Sequence, residues 1–167
     1  SEETQTIEGT AVAGTTVTLF SEDTSLGTDI ADSDGKFSFT ETLSEGDNVL
    51  TVTATDAAGN ESAASSEIII EIDTTAPEAP VITTTTTVTN ETTPTIEGTA
   101  EVGSTVELFI GETSAGTTTA GSDGAFSITT GELAEGDYSL TVTATDEAGN
   151  TSSASTAFAL TIDTKAP

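Results

Sequence analysis

Carboxylates and side-chain amides are the groups this sequence has in quantity for chemistry, and they recur at fixed spacing beside glycines. Asp56 and Asn60 bracket Ala57-Ala58-Gly59, and ninety residues later Asp146 and Asn150 bracket Glu147-Ala148-Gly149. Asp32 and Asp34 lead into Gly35, Asp123 leads into Gly124, and Glu101 follows Thr99-Ala100. Asp73 and Asp163 each open an Asp-Thr-x-Ala-Pro stretch. Hard oxygen donors of this kind suit Ca²⁺, which takes six to eight of them at about 2.3–2.6 Å; Mg²⁺ demands tighter octahedral geometry. A single Asp beside Gly also favours a turn by bonding its own backbone. Asp32-Ser33-Asp34-Gly35 is not an EF-hand loop, which needs a longer ligand series and a distal Glu.

Other chemistry is thinly represented. His, Cys, Met and Trp are absent, so imidazole, thiolate and zinc–thiolate sites are excluded. Paired carboxylates serve glycosidases, but turn carboxylates on short strands offer no evident cleft. The reading is therefore of a protein that is not an enzyme. Against 29 Asp and Glu stand 2 Lys and Arg, a formal charge of -27. Like charges a few ångströms apart raise each other's pKa, and with Lys36 and Lys165 the sole cationic side chains, a solution cation is the available partner. Such a charge repels nucleic-acid phosphates and anionic lipid. No apolar run reaches membrane-spanning length, so no membrane insertion by this segment is expected. Absence of cysteine excludes a disulfide scaffold but not secretion.

The elements that position these groups are strands. Leu50, Val52 and Ala54 alternate with threonines, and Leu140, Val142 and Ala144 do the same in the second copy. Ile68, Ile70 and Ile72 return as Phe158, Leu160 and Ile162. Period-two alternation with Gly-rich turns and no helical period predicts an all-β fold. Seven short strands in roughly ninety residues predict tandem immunoglobulin-like Greek-key sandwiches. In the second copy, strand A is expected near Pro80–Thr83 and B at Thr95–Ala100, with C at Thr105–Ile110. D is expected at Ala115–Thr119, E at Ala125–Thr129, F at Asp137–Thr145 and G at Thr156–Ile162. The domains are read as 1–73, 74–163 and the start of a further linker at 164–167. The first copy is expected to start at strand B, possibly lacking strand A, which leaves an unpaired sheet edge as a weakness. Two prolines in Ala76-Pro77-Glu78-Ala79-Pro80 predict a short, semi-rigid connector.

An up-and-down strand count places the BC, DE and FG loops at the pole where strand A enters. In the second domain that pole gathers Glu101, Asp123, Asp146 and Asn150, with Asp73 on the incoming linker. In the first it gathers Asp32, Asp34, Asp56 and Asn60; Asp163 stands ready for a following repeat. The expected cofactor is Ca²⁺ at the junction between repeats.

Several motifs together carry a family resemblance. Thr-Pro-Thr-Ile-Glu-Gly-Thr-Ala at 93–100, Asp-Gly-x-Phe-Ser at 34–38 and 123–127, Leu-Thr-Val-Thr-Ala-Thr-Asp-x-Ala-Gly-Asn, and Asp-Thr-x-Ala-Pro span nearly the whole chain. This combination resembles the bacterial Ig-like repeats of giant surface adhesins, including biofilm-associated and RTX-type proteins. The resemblance implies a secreted, extracellular filament on the bacterial cell surface, in which middle repeats extend a terminal binding domain. It also implies calcium between repeats, carried over to Asp73, Asp123 and Asp146; Gly121 stands where the first copy has Asp32. The expected partners are adjacent repeats of the same chain, in a monomeric fragment of a longer filament. The alternatives are a module that binds a glycan or protein, and an accessory domain of a secreted hydrolase.

Overall fold

The structure is a computed structural model that describes residues 3–166. All of its named elements are strands, and they fall in two compact units, Ser1–Thr74 and Thr75–Pro167. The first unit contains β1 (Glu3–Thr10), β2 (Thr16–Ser21), β3 (Thr24–Ile30), β4 (Lys36–Leu43), β5 (Gly46–Thr55) and β6 (Ile68–Ile72). They form a sheet of order β3-β2-β5-β6 facing a two-stranded sheet, β1-β4. Alternate residues point inward: Ile7, Val17, Leu19, Phe37, Phe39, Leu50 and Ile72 are buried in one core. The rings of Phe37 and Phe39 lie 5.7 Å apart and tilted, a favourable aromatic arrangement.

The second unit contains β7 (Val81–Ile82), β8 (Val88–Thr89), β9 (Thr95–Thr99), β10 (Thr105–Ile110), β11 (Thr113–Thr119), β12 (Ala125–Thr129), β13 (Gly136–Thr145) and β14 (Phe158–Ile162). One sheet has the order β11-β10-β13-β14-β8 and the other β12-β9-β7. Ile96, Val106, Leu108, Phe126, Leu140, Val142 and Ile162 fill the space between them. Each such side chain contributes about 1.5–3 kcal/mol by leaving water. The sandwich is immunoglobulin-like.

Two strand assignments need correction. The segment expected as strand D, 115–119, does not cross to the opposite sheet; as part of β11 it pairs antiparallel with β10. The reason is local: Ile110 and Thr113 face each other across a two-residue turn, which commits β11 to β10 as a hairpin. The expected strand A is divided. β7 pairs antiparallel with β9, whereas β8 runs parallel to β14 in the other sheet. The first unit has the same β2–β3 hairpin, and its described residues include no equivalent of β7 or β8.

The two hairpin turns differ in one informative residue. Gly111 opens the second turn with φ 61°, and Glu22 holds the same place in the first with φ 51°. Both donate their amide back to the neighbouring strand, Glu22 to Val49 and Gly111 to Ser139. A side chain in left-handed conformation costs about 1–2 kcal/mol, part of which glycine returns through unfolded-chain entropy. Glu22→Gly is therefore expected to stabilise the first unit by about 0.5–1 kcal/mol, read as a higher urea midpoint at unchanged slope.

Candidate functional site

Strand pairing decides which loops meet. At one end of the second unit Thr105 pairs with both Thr119 and Thr145, while Thr99 pairs with Ala125 and Val81. The loops after β9, β11 and β13 therefore lie at one pole, as does the start of β7. Exchanging strand D for a hairpin strand leaves this grouping intact, because the count of up and down strands is unchanged. Glu101, Asp123, Asp146 and Asn150 all belong to this pole. In the first unit Thr16 pairs with Ile30 and Thr55, and Thr10 with Lys36, which groups Asp32, Asp34, Asp56 and Asn60 in the same way.

Within the loops four aspartates, Asp32, Asp56, Asp123 and Asp146, accept amide hydrogens from their own turns. Asp146 accepts Asn150 N–H on Oδ1 at 2.8 Å and Asn150 Nδ2 on Oδ2 at 2.9 Å. Asp56 repeats this with Asn60, at 2.9 and 2.8 Å, and also accepts Ala58 N–H at 2.8 Å. The side-chain bond from the asparagine is the first cause that holds each carboxyl below its ordinary value, with further backbone N–H groups adding to it. Asp32 accepts the amides of Asp34 and Lys36, both at 2.8 Å. Asp123 accepts Ala125 N–H at 3.0 Å, while Glu101 is exposed and offers its backbone carbonyl to Ser104. Gly121, in the place of Asp32, donates its amide to Ala125 with no carboxylate of its own.

Among the described residues, no three acidic side chains gather closely enough to hold a metal. The pole thus supplies the right donor chemistry in an open arrangement. Asp73 lies one residue beyond β6 in the first unit, and Asp163 one residue beyond β14 in the second. Asp163 accepts the amide of Lys165 at 3.1 Å.

A feature not anticipated from sequence sits at the opposite pole. Thr74 donates its hydroxyl to Glu45 at 2.6 Å, and its amide reaches the same carboxylate at 3.1 and 3.2 Å. In the second unit Thr164 donates to Glu135 at 3.3 Å, and Lys165 pairs with Glu135 at 2.5 Å. The chain leaving each sandwich is thereby tied to the turn before its longest strand. Glu-Gly-Asp at 45–47 and 135–137, each the same distance ahead of Asp-Thr, was the available signal.

The lowered carboxyls at Asp56 and Asp146 make a signed prediction. A depressed folded-state pKa contributes stability above the unfolded value and loses it as pH falls through the folded one. The amides of Asn60 and Asn150 should stay protected from exchange down through the ordinary carboxylate range and lose protection only at more acidic pH, as each lowered carboxyl takes up its proton. In Asp146→Asn the pH response at Asn150 should vanish while Asn60, in the same molecule, keeps its own.

Comparison with known proteins agrees with this architecture. Residues 1–69 match the model of the bacterial Ig domain, and residues 81–164 match that of the bacterial Ig-like domain. No curated protein matches the chain. Among solved structures, the fibronectin(III)-like modules of Clostridium thermocellum CbhA superpose with a TM-score of 0.56 at 16% identity. That match covers 96% of this chain and 85% of the other, and it is a likeness of fold. A biofilm-associated protein BSP domain is 25% identical with a TM-score of 0.44; 97% of this chain aligns with 28% of that one. No helix among the described residues is long and apolar enough to cross a membrane. With one family model on each sandwich, the chain belongs to the bacterial Ig-like domains and carries two of them in tandem.

Proposed function

We propose that this tandem is a non-catalytic extender segment of a bacterial surface adhesin, and that its function is reach. The observation that carries this reading is the path of the chain through the second unit. It enters at Val81 beside Thr99 at the loop pole, and leaves after Ile162 beside Gly136 at the opposite pole. The ten-residue β13 connects the two poles, a span of about 30 Å. With entry and exit at opposite ends, the chain advances by the length of one sandwich in passing through the repeat. The Glu–Thr clasp at Glu45–Thr74 and Glu135–Thr164 supports the reading, because it restrains the first residues that leave each sandwich. The family, the two-lysine acidic surface and the motif resemblance to adhesin repeats favour an extracellular setting.

Within this reading Ca²⁺ binds at the junctions. The donor set is all oxygen, and the carboxylates of Asp123 and Asp146 keep lone pairs beyond those used by amides. Because one pole alone does not assemble three carboxylates, a bound ion draws on the linker Asp73, on backbone carbonyls and on water. Glu101, Asp123, Asp146 and Asn150 are the proposed partners of Asp73. Asp32, Asp34, Asp56 and Asn60 form the weaker pole of the first unit, and Asp163 serves the next repeat. The ion neutralises clustered charge and orders the linker; the residues supply orientation.

Small-angle scattering with Ca²⁺ and with chelator tests both levels. The expected result is a greater maximum dimension and a raised melting temperature in Ca²⁺, with Asp73→Ala abolishing the increment but not the folding of either unit. Identical profiles in the two conditions would remove calcium from the reading. A compact profile in both would overturn the extender reading itself. Independently of metal, Glu45→Ala should broaden the interdomain distance distribution between spin labels on the two units, and leave the melting of the second unit unchanged.

A further inference from the structure

The second unit ties the entering segment of its chain directly to the strand that leaves. β7 pairs antiparallel with β9, Val81 to Thr99 and Ile82 to Gly98. The threonine run 83–87 then carries the chain to the other sheet, where β8 lies beside β14. The pairing is parallel, Val88 with Thr161 and Thr89 with Ile162. Thr161 donates its amide to the carbonyl of Thr87 at 2.8 Å, and Asp163 donates its own to Thr89 at 2.9 Å.

Direction matters here more than length. β7 and β8 run away from the loop pole, and so does β14, which lies antiparallel to β13. A pull on the chain ahead of Val81 draws β8 toward the loop pole, and a pull beyond Ile162 draws β14 toward the opposite one. Parallel neighbours drawn in opposite senses slide along each other. The bonds that cross between them are then loaded together and have to fail together. Strands drawn apart from one shared end lose the same bonds one at a time.

We infer that β8 and β14 form a clamp that bears tension along the chain, a mechanical function in addition to reach. The direction of load rests on the extender reading; the clamp rests on strand direction and anchoring. Leu160 and Ile162 of β14 are buried in the core, and β13 pairs along that strand from Gly136 to Leu140. Val88 is 60% exposed, so β8 is held by its backbone bonds more than by packing. β7 supplies an earlier stop on the same path. Ile82 packs on the core, and the amides of Thr83 and Thr84 reach the carbonyl of Glu97 at 2.8 and 3.3 Å. Two paired residues add little to equilibrium stability. Forced unfolding is set by the height of the unfolding barrier instead, and bonds that fail at once raise it.

The test pulls single molecules of the intact chain, which has no cysteine of its own, by introduced cysteine handles. Glu78→Cys with Ala166→Cys loads the second unit lengthwise. Asn90→Cys with Ala166→Cys draws β8 and β14 apart from the end they share. All three positions are exposed. The lengthwise pull should rupture the unit at a several-fold higher force. Asp163→Pro, which deletes the amide that meets Thr89, should lower that force and leave the melting temperature of the second unit nearly unchanged. Equal forces in the two directions would overturn the clamp, as would an unchanged lengthwise force in Asp163→Pro. Either result leaves the scattering profile, and with it the extender reading, standing. A compact profile with the force difference intact would remove that reading and keep the clamp.

Discussion

The register of β10 between its two neighbours, and of β2 in the first unit, is the constraint on which everything else rests. Thr105 meets Thr119 on one side and Thr145 on the other, and Thr16 meets Ile30 and Thr55. A slip of one residue would turn Val106 and Leu108 out of a core in which both are fully buried. Apolar burial therefore fixes the register, and the register in turn fixes which loops share a pole. The clustering of acidic loops is a consequence of core packing, with no attraction among the loops required.

Those loops accommodate a very acidic sequence by giving four of the turn aspartates backbone partners. Asp32, Asp56, Asp123 and Asp146 all accept amide hydrogens from residues two to four positions onward. An N–H dipole stabilises the charged carboxylate without a cationic side chain, of which the chain has two. The turn is ordered by the same bond that lowers the carboxyl. Such carboxylates are oriented but not closed into a shell, which is why the proposed metal chemistry depends on donors brought from the linker.

The sandwich, its strand positions and the grouping of loops were legible because alternation and Gly-rich turns repeat at one spacing in two copies. β10 and β12 fall on their expected residues, and β9 ends one residue early. What was not legible came from contacts rather than period. Whether 115–119 joins one sheet or the other leaves its alternation unchanged; the short Gly111-Glu112 turn decides it. The division of strand A follows from a threonine run that alternates with nothing, so its change of sheet leaves no mark in the pattern. The Glu45–Thr74 clasp links residues 29 apart whose types are ordinary in turns and linkers.

The difference between the two units shows how far a short strand acts beyond its own hydrogen bonds. β7 and β8 are two residues each, too short to contribute much as a ladder. Yet in the second unit, which has them, Val142, Ala144 and Ser155 are buried; in the first, whose described residues include no such strands, Val52 and Ala54 are half-buried and Ser65 is exposed, although β5 keeps the same pairing with β2. Ile82 packs on the core of the second unit, and the Val81 carbonyl comes close to β9 because Gly98 has no Cβ to meet it. Burial of apolar area, more than backbone pairing, is then what an incoming strand contributes.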